Sequence, residues 1–272
     1  MDRPCTLGGP NCGYRAAGSL PFIINPGIMP EYSKRFEIAI VDAIREYSPP
    51  WPSRRPDDPM ITHLPSDQYS IQTQRKLYKW VVGAIELSAI YATHRYPSPE
   101  SLVMALWRTL IGELRAWQNE PVGEEHWQYF KDWMAVQDIF DKFEEEIQSL
   151  STGQRGSDRL EAAVEARFGS KPPRSSTLGW VTKPMRWITK ASMMCAWRRF
   201  CVTESGYIGL VPLLCQPGDC VAIISGVKTP FVLRRLDTVQ LEVYEIVGEC
   251  YVHGIMDGEV ASPNHMRDVM VM

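Results

Sequence analysis

The sequence predicts an α+β fold, in which a mostly helical N-terminal part packs on a C-terminal antiparallel β-sheet or small barrel. Two observations lead to this prediction. Apolar residues recur every three or four positions through much of residues 31–150, as they do in amphipathic helices. After Lys171-Pro172-Pro173 the chain changes to short β-branched or aromatic segments separated by Gly, Pro and Asp, which is typical of antiparallel strands.

Five helices are predicted from the spacing of apolar residues, from helix-capping residues and from helix-breaking Gly and Pro residues. The first lies inside a Pro- and Gly-rich N-terminal segment, and the third begins at a Ser-Pro cap. The fifth is short and can end at a glycine. The predicted spans are Glu31 to Tyr47, about Tyr69 to Tyr91, Ser98 to Trp117, about Glu124 to Leu150, and Arg159 to Phe168.

Five strands follow from β-branched and aromatic runs between turn residues. They are predicted at Arg199 to Val202, Tyr207 to Leu210, Cys220 to Ser225, Phe231 to Arg235 and Leu241 to Val252. The chain then divides into an irregular segment with one helix at 1–65, a helical part at 66–170 and an antiparallel β part at 171–272. We expect residues 66–272 to form one compact domain.

Composition narrows the classes of function. The 272 residues carry 29 Lys and Arg against 32 Asp and Glu, a net charge of −3, so no basic surface favours nucleic acid. The longest apolar stretches fall short of the roughly 20 residues that span a bilayer, and the first residues show no secretory signal. We therefore expect a cytoplasmic protein with neither nucleic acid nor membrane as a partner.

Cysteine usage and missing motifs bear on cofactors. The 7 cysteines are an odd number without a CxxC pair, which predicts free thiols and no metal site. The chain also lacks GxGxxG, P-loop, GxSxG and HExxH motifs. Any chemistry would accordingly be free of cofactors.

The C-terminal ninety residues contain four distinctive segments, and a fifth lies upstream: FCVTESGYIGL at 200–210, QPGDCVAI at 216–223, TPFVLRR at 229–235, VGECYVHGIMDGEV at 247–260, and ALWRTLIG at 105–112. In this order they resemble the region that follows the HET domain in fungal heterokaryon-incompatibility proteins. The resemblance implies a fungal origin and a fold shared with that region. The HET domain's own signature is missing from residues 1–100, so we expect a stand-alone chain and do not transfer that domain's cell-death signalling role.

The segment from Glu249 to Glu259 holds the main candidate site. Strand alternation places Glu249, Tyr251 and His253 on one face, with each about 7 Å from the next. A turn at Gly254 would then return Asp257 and Glu259 toward the same face. A carboxylate beside an imidazole suits general acid/base catalysis, with the tyrosine as hydrogen-bond donor. The same side chains would equally satisfy buried backbone groups where the strand meets the helices.

Further candidates have one chemical and one structural reading each. The thiols of Cys220 and Cys250 can exchange protons or fill the core. Arg234 and Arg235 can hold a substrate carboxylate, or one of them can pair with Asp237. The remaining candidates are aromatic side chains that line a substrate pocket or pack in the core, namely Tyr207, Trp187 and Trp197.

Two hypotheses about function remain. The favoured one is a cofactor-independent isomerase, epimerase or cyclase that acts on a small fungal secondary metabolite by acid/base proton transfer. The alternative is a non-enzymatic interaction or regulatory module in heterokaryon incompatibility, which binds a partner protein or a second copy of itself. A deep pocket that holds His253 or Glu249 would favour the enzyme, and a flat apolar surface would favour the module.

Overall fold

A computed structural model gives the arrangement of the chain. It describes residues 16, 17, 19, 24, 25, 34–52, 71–91, 96–112, 122–142, 165, 166, 182–236 and 242–272. These residues form a β-barrel with helices packed against an attached arm of strands. The predicted α+β class is therefore confirmed.

Four helices lie in the described residues: α1 (Ile71–Tyr91), α2 (Leu102–Ile111), α3 (Glu124–Lys142) and α4 (Thr182–Cys195). The predicted spans of α1 and of the start of α3 agree with the structure. The predicted extension of α3 to Leu150 and the short helix after Arg159 lie largely outside the described residues. None of the described helices is long and apolar enough to cross a membrane.

Helix α2 begins later than its sequence predicts. Its N-cap is Ser101, whose Oγ accepts a hydrogen bond from the amide of Met104 at 3.4 Å, and not Ser98. The helix ends at Gly112, which adopts the left-handed conformation with φ 54° and donates to the last carbonyls. This shift leaves residues 96–100 outside the helix, where they lie against the β part.

Nine strands lie in the described residues. They are β1 (Ile24–Asn25), β2 (Lys34–Pro50), β3 (Arg198–Thr203), β4 (Ile208–Pro212), β5 (Cys220–Ile224), β6 (Phe231–Leu236), β7 (Val243–Glu249), β8 (Tyr251–Val252) and β9 (Arg267–Val271). The pairings β2–β5–β6–β7–β9–β2 close a five-stranded barrel. All are antiparallel except β7–β9, which is parallel. Strands β3, β4 and β8 form an arm that extends from the second half of β2.

The helix predicted between Glu31 and Tyr47 is wrong, because its described residues, 34–47, belong to the 17-residue strand β2. The pairing of this strand with its neighbours shifts register at three places along β2: between Ile40 and Asp42, between Ile44 and Glu46, and between Tyr47 and Pro50. An inserted residue reverses which face the following side chains occupy. The buried positions therefore lose strict alternation and imitate the spacing of a helix.

Two elements of the C-terminal part were not predicted. Helix α4 occupies the start of the region expected to be all β, and β9 follows the last predicted strand. The second omission matters for the topology, because β9 joins β7 to β2 and so completes the barrel.

The core of the described residues comprises several clusters. One unites helices α1 to α4 with the arm, and in it the aromatic rings of Phe130, Trp133 and Trp187 lie together; the Trp187 ring centroid is 4.8 Å from Phe130 and 5.2 Å from Trp133. A second contains buried side chains from all five barrel strands, such as Ile38, Leu233 and Tyr244. The buried cysteines Cys201 and Cys250 belong to a third, together with side chains of β2, β5 and β6. The contact between helices and arm positions the candidate site.

Candidate functional site

His253 follows the short strand β8 and is buried, with 3% of its surface exposed. Its Nδ1 lies 2.9 Å from the hydroxyl of Tyr251, also fully buried. The predicted shared face of these two residues is thus found in the structure. The Tyr251 hydroxyl and the Nδ1 atom of His253 form a hydrogen bond with each other.

The carboxylate beside His253 comes from the helical part and not from its own strand. Glu100 Oε2 lies 2.9 Å from His253 Nε2, and the other oxygen of Glu100 accepts from Arg108 on α2. Since a carboxylate can only accept, Nε2 carries the imidazole proton. In the neutral ring Nδ1 then accepts from the Tyr251 hydroxyl, so both ring nitrogens are satisfied.

Tyr96 adds a second link between the helical part and the arm. Its hydroxyl donates to the backbone carbonyl of His253 at 2.9 Å and accepts from the amide of Ile208 at 3.4 Å. Burial raises the pKa of Tyr96 far above its ordinary value, so the phenol stays neutral and can donate. We call Tyr96, Glu100, Arg108, Tyr251 and His253 the His253 network.

Close backbone approaches fix the position of this network. A Cβ on Gly209 of β4 would lie 2.4 Å from the carbonyl oxygen of Tyr251, so the two strands require glycine there. Gly254 has φ +90°, and a Cβ would lie 3.2 Å from Cβ of Ser98. The turn after His253 is therefore pressed against the segment before α2.

The acidic candidates lie at the end of β7 and in the turn after β8. Glu249 ends β7, opposite Phe231, and the non-strand residue Cys250 separates it from β8. Asp257 and Glu259 are exposed in the following turn, where the amide of Asp257 donates to Glu259 Oε2 at 2.7 Å. The structure thus supplies Glu100 as the carboxylate on the imidazole. A catalytic role for the three predicted acids stays a prediction.

The two cysteine candidates differ in exposure. Cys250 is fully buried in the cluster that also contains Cys201, and burial raises its pKa well above the ordinary value. Cys220 is half-buried, and burial followed by the charge of Asp219 raises its pKa as well. Both shifts favour the neutral thiol, whereas the thiolate is the reactive form.

Arg234 binds an aspartate that was not its predicted partner. Its Nε and Nη2 lie 2.9 and 2.8 Å from the two carboxylate oxygens of Asp219, and Nη2 also donates to the carbonyl of Leu214. Asp237, the predicted partner, lies outside the described residues. Arg235 is exposed. The predicted PGD turn and PFVLR strand are thus joined by a bidentate ion pair.

The aromatic candidates separate into core and surface. Trp187 is fully buried among the rings of the helical core. Trp197 is 36% exposed at the start of β3, with a positive φ of 63°. Tyr207 lies at the surface of an open cleft, so of the three it is the one on a concave surface.

This cleft has a volume of about 890 Å³. Two predicted site residues line it, Tyr207 and Glu259, together with residues of β2, the turn after Gly258, and the start of β9. His253 does not line it. Burial, followed by the charges of Asp42 and Glu259, raises the pKa of Tyr207, so its phenol stays protonated at neutral pH.

Sequence reasoning missed Tyr96, Glu100 and Arg108. A partial signal was present, because the polar segment YPSPE at 96–100 directly precedes α2, which carries the recognised WRTL motif. The 153 positions between Glu100 and His253 exceed the reach of any local pattern. Among the residues that the structure describes, no group of three His, Cys, Asp or Glu side chains could hold a metal ion.

Comparison with known proteins identifies the family. A family model described as the Het-6 beta-barrel domain matches residues 77–272. A stretch of 67 residues is 42% identical to "Heterokaryon incompatibility protein 6, OR allele" of Neurospora crassa, covering 25% of this chain and 10% of that relative. No solved structure matches the chain. The resemblance to heterokaryon-incompatibility proteins is thus confirmed, and because the model spans well over half of its residues, the chain belongs to the Het-6 beta-barrel family.

Proposed function

We propose that this protein is a non-enzymatic interaction module of heterokaryon incompatibility, and that it acts in the cytoplasm by binding another protein. The family model and the Neurospora crassa relative support the biological setting. The relative is much longer than the matched segment, so its role is carried over here only as part of the proposal.

The observation that carries the proposal is that the imidazole of His253 is hydrogen-bonded entirely within the His253 network. Both ring nitrogens of His253 are engaged, one by Tyr251 and one by Glu100, and the side chain is 4% exposed. A general base must reach the proton that it removes, within about 3 Å or through one water. A buried imidazole that is paired on both nitrogens and lies away from the cleft instead holds the segment before α2 against the arm.

The motifs of the C-terminal part support the same interpretation. Asp219 and Arg234 hold one loop, while Tyr251 and His253 hold the contact with the helices. These contacts make a rigid scaffold. Rigid scaffolds suit binding, because little side-chain or loop entropy is then lost on association.

The test is a heterokaryon assay between two otherwise compatible strains of Neurospora crassa. We expect expression of the full chain in one strain to lower heterokaryon formation at least tenfold. The conservative variant Tyr251→Phe loses one buried hydrogen bond and keeps the ring. As long as this variant stays folded it should keep the effect, because binding does not require the hydroxyl to donate a proton in a reaction. Gly209→Val, in which the side chain collides with a backbone carbonyl, is the unfolded control. Unchanged heterokaryon formation with the folded chain would overturn the proposal.

One observation favours a second candidate, the isomerase, epimerase or cyclase. Tyr207 and Glu259 face one cleft, where a neutral phenol and a carboxylate could move a proton on a small molecule. The measurement is solvent-deuterium incorporation into candidate secondary metabolites by the wild type, Tyr207→Phe and Glu259→Gln. Exchange that the wild type catalyses and both variants lose would support the enzyme. If the wild type incorporates no deuterium into these metabolites, the enzyme hypothesis is ruled out.

A further inference from the structure

The long strand β2 changes neighbours along one of its edges. Strand β9 pairs with it from Lys34 to Ile38, and β3 pairs with it from Ile44 onward. Near the junction, the amide of Glu204 still reaches the carbonyl of Ala43. No strand in the described part of the chain pairs with residues 39–42 on this edge.

The backbone direction shows which groups face this gap. The amide of Ser225 donates to the carbonyl of Glu37, so Glu37 and Ala39 turn their backbone groups toward β5. Alternate residues of a strand face opposite edges. The N–H and C=O of Ile40 therefore point into the gap, and no described backbone group pairs with them there.

The cleft of about 890 Å³ lies along this gap. Its floor is formed by Ala39, Ile40 and Val41, and its walls include Glu259 to Ser262 and His265. The chain that precedes β9 forms a 3₁₀ turn at Pro263–His265 instead of continuing along β2. This turn keeps the gap open.

The charges at the two ends of the cleft differ. Near β3, the negative charges of Asp42 and Glu259 add to burial in raising the pKa of Tyr207, which lines the cleft. Near β9, Arg267 is already paired with Glu242 at 3.0 Å. Asp42 accepts hydrogen bonds from the amides of Ala43 and Ser205, and Glu259 accepts from the amide of Asp257. Within the part of the chain that the structure describes, neither carboxylate has an ion pair, so the end near β3 carries negative charge and favours a basic group.

We infer that the cleft binds a short extended segment of a partner protein, which adds as a strand to residues 39–42 of β2 and places a Lys or Arg beside Asp42 and Glu259. Four residues span about 13 Å at 3.3 Å per residue, so the bound segment has about four residues. Backbone bonds to Ile40 would supply affinity, and the basic side chain would supply direction. The inference rests on the proposed function and specifies where the partner binds.

The experiment selects ligands from a library of random octapeptides displayed on phage, with the full chain as bait. Ser262→Trp fills the cleft wall, and Asn264→Trp on the neighbouring exposed turn is the matched control. We expect peptides rich in Lys or Arg that bind the wild type and Asn264→Trp at least tenfold more tightly than Ser262→Trp. The variant Glu259→Lys should weaken the same peptides at least tenfold.

Synthetic copies of the selected peptides test the strand-like mode. N-methylation at alternate residues removes backbone donors, and one of the two registers should lower affinity at least tenfold. A selection without any peptide that distinguishes wild type from Ser262→Trp would overturn the inference, as would binding that N-methylation in either register leaves unchanged.

The two proposals can fail separately. A chain that lowers heterokaryon formation, with the same effect for Ser262→Trp, would remove the cleft inference and leave the module intact. Peptides that bind the cleft of a chain without effect on heterokaryon formation would retain the cleft and remove the proposed function.

Discussion

Arg234 of β6 binds both carboxylate oxygens of Asp219, at 2.9 and 2.8 Å, and Asp219 is 4% exposed. The same aspartate accepts from the amide of Gln216 at 2.7 Å. One buried carboxylate thereby fixes both the loop before β5 and the neighbouring strand. The last residue of the Pro-Gly-Asp turn therefore does more than favour a turn, because its side chain fixes the position of the loop.

Arg234→Ala should lower the free energy of unfolding by on the order of 2–4 kcal/mol, since it leaves a buried carboxylate without its cation. The value lies below that of a fully buried pair because 27% of the Arg234 side chain is exposed. Arg235→Ala, at the exposed neighbour, is the matched control and should change the free energy by less than about 0.5 kcal/mol. Urea denaturation measures both, and equal effects would contradict the assignment.

The His253 network should behave as one coupled unit. His253→Ala and Glu100→Gln should each lower the free energy of unfolding by about 1–3 kcal/mol, because each leaves buried polar groups without a partner. The double variant should lose less than the sum of the two, by roughly 0.5 kcal/mol or more. Glu86→Gln on the exposed side of α1 is the control. Additive losses would show that the two side chains act independently.

The local patterns account for much of the fold and for little of the site. Strands β3 to β6 were predictable because each is short and lies between turn residues. Helix α4 was missed because residues 171–272 were expected to be β throughout, although the buried side chains Trp187, Ile188 and Ala191 have helical spacing. Strand β2 failed for a different reason, because its bulges change the phase of the pattern.

The site depended on contacts that no local pattern contains. Alternation correctly brought Tyr251 and His253 to one face, and it offered Glu249 as the acid because Glu249 is two positions from Tyr251. The chain leaves the strand at Cys250, between β7 and β8, and Glu100 enters from the other half of the chain. Long-range packing thus decided which carboxylate meets the imidazole.

Alkaline pH should destabilise the protein through its buried thiols. Burial raises the pKa of Cys195, Cys201 and Cys250 above the ordinary value of 9.0, so these thiols keep their protons in the folded state while the unfolded chain loses them. The unfolded state then binds fewer protons, and the free energy of unfolding falls from about pH 9 upward, by about 1.4 kcal/mol per pH unit for each such thiol. Below that pH the contribution is fully present.

Urea denaturation at pH 8, 9, 10 and 11 measures this slope. Cys250→Ala should reduce it by about one proton, whatever its effect on stability at pH 8. Cys220→Ala should reduce it less, because Cys220 is only half-buried. A slope that is the same in wild type and Cys250→Ala would show that the thiol ionises equally in both states.

All seven cysteines should be free thiols. The five in the described residues have no disulfide partner, while Cys5 and Cys12 lie outside those residues. Alkylation of the unfolded chain without reductant should add seven labels, and fewer would reveal a disulfide. In the folded protein, Cys201 and Cys250 should remain unlabelled at pH 8, because both are fully buried and neutral. Peptide mapping distinguishes the positions.

Two glycine substitutions should have opposite effects, because the surroundings of the two residues differ. A Cβ at Gly83 within α1 would have no heavy atom within 4 Å, so Gly83→Ala should stabilise the helix by roughly 0.5–1 kcal/mol through lower backbone entropy in the unfolded chain.

At Gly209 the added Cβ would lie 2.4 Å from the Tyr251 carbonyl oxygen and 3.1 Å from a methyl carbon of Val252. Strand β4 cannot accept it without moving away from β8, and that movement would also pull Tyr251 from His253. Gly209→Ala should therefore lower the melting temperature by several degrees or prevent folding, while Gly83→Ala raises it. A neutral Gly209→Ala would mean that the β4–β8 contact is looser than the structure shows, and the rigid scaffold on which the interaction module depends would lose its support.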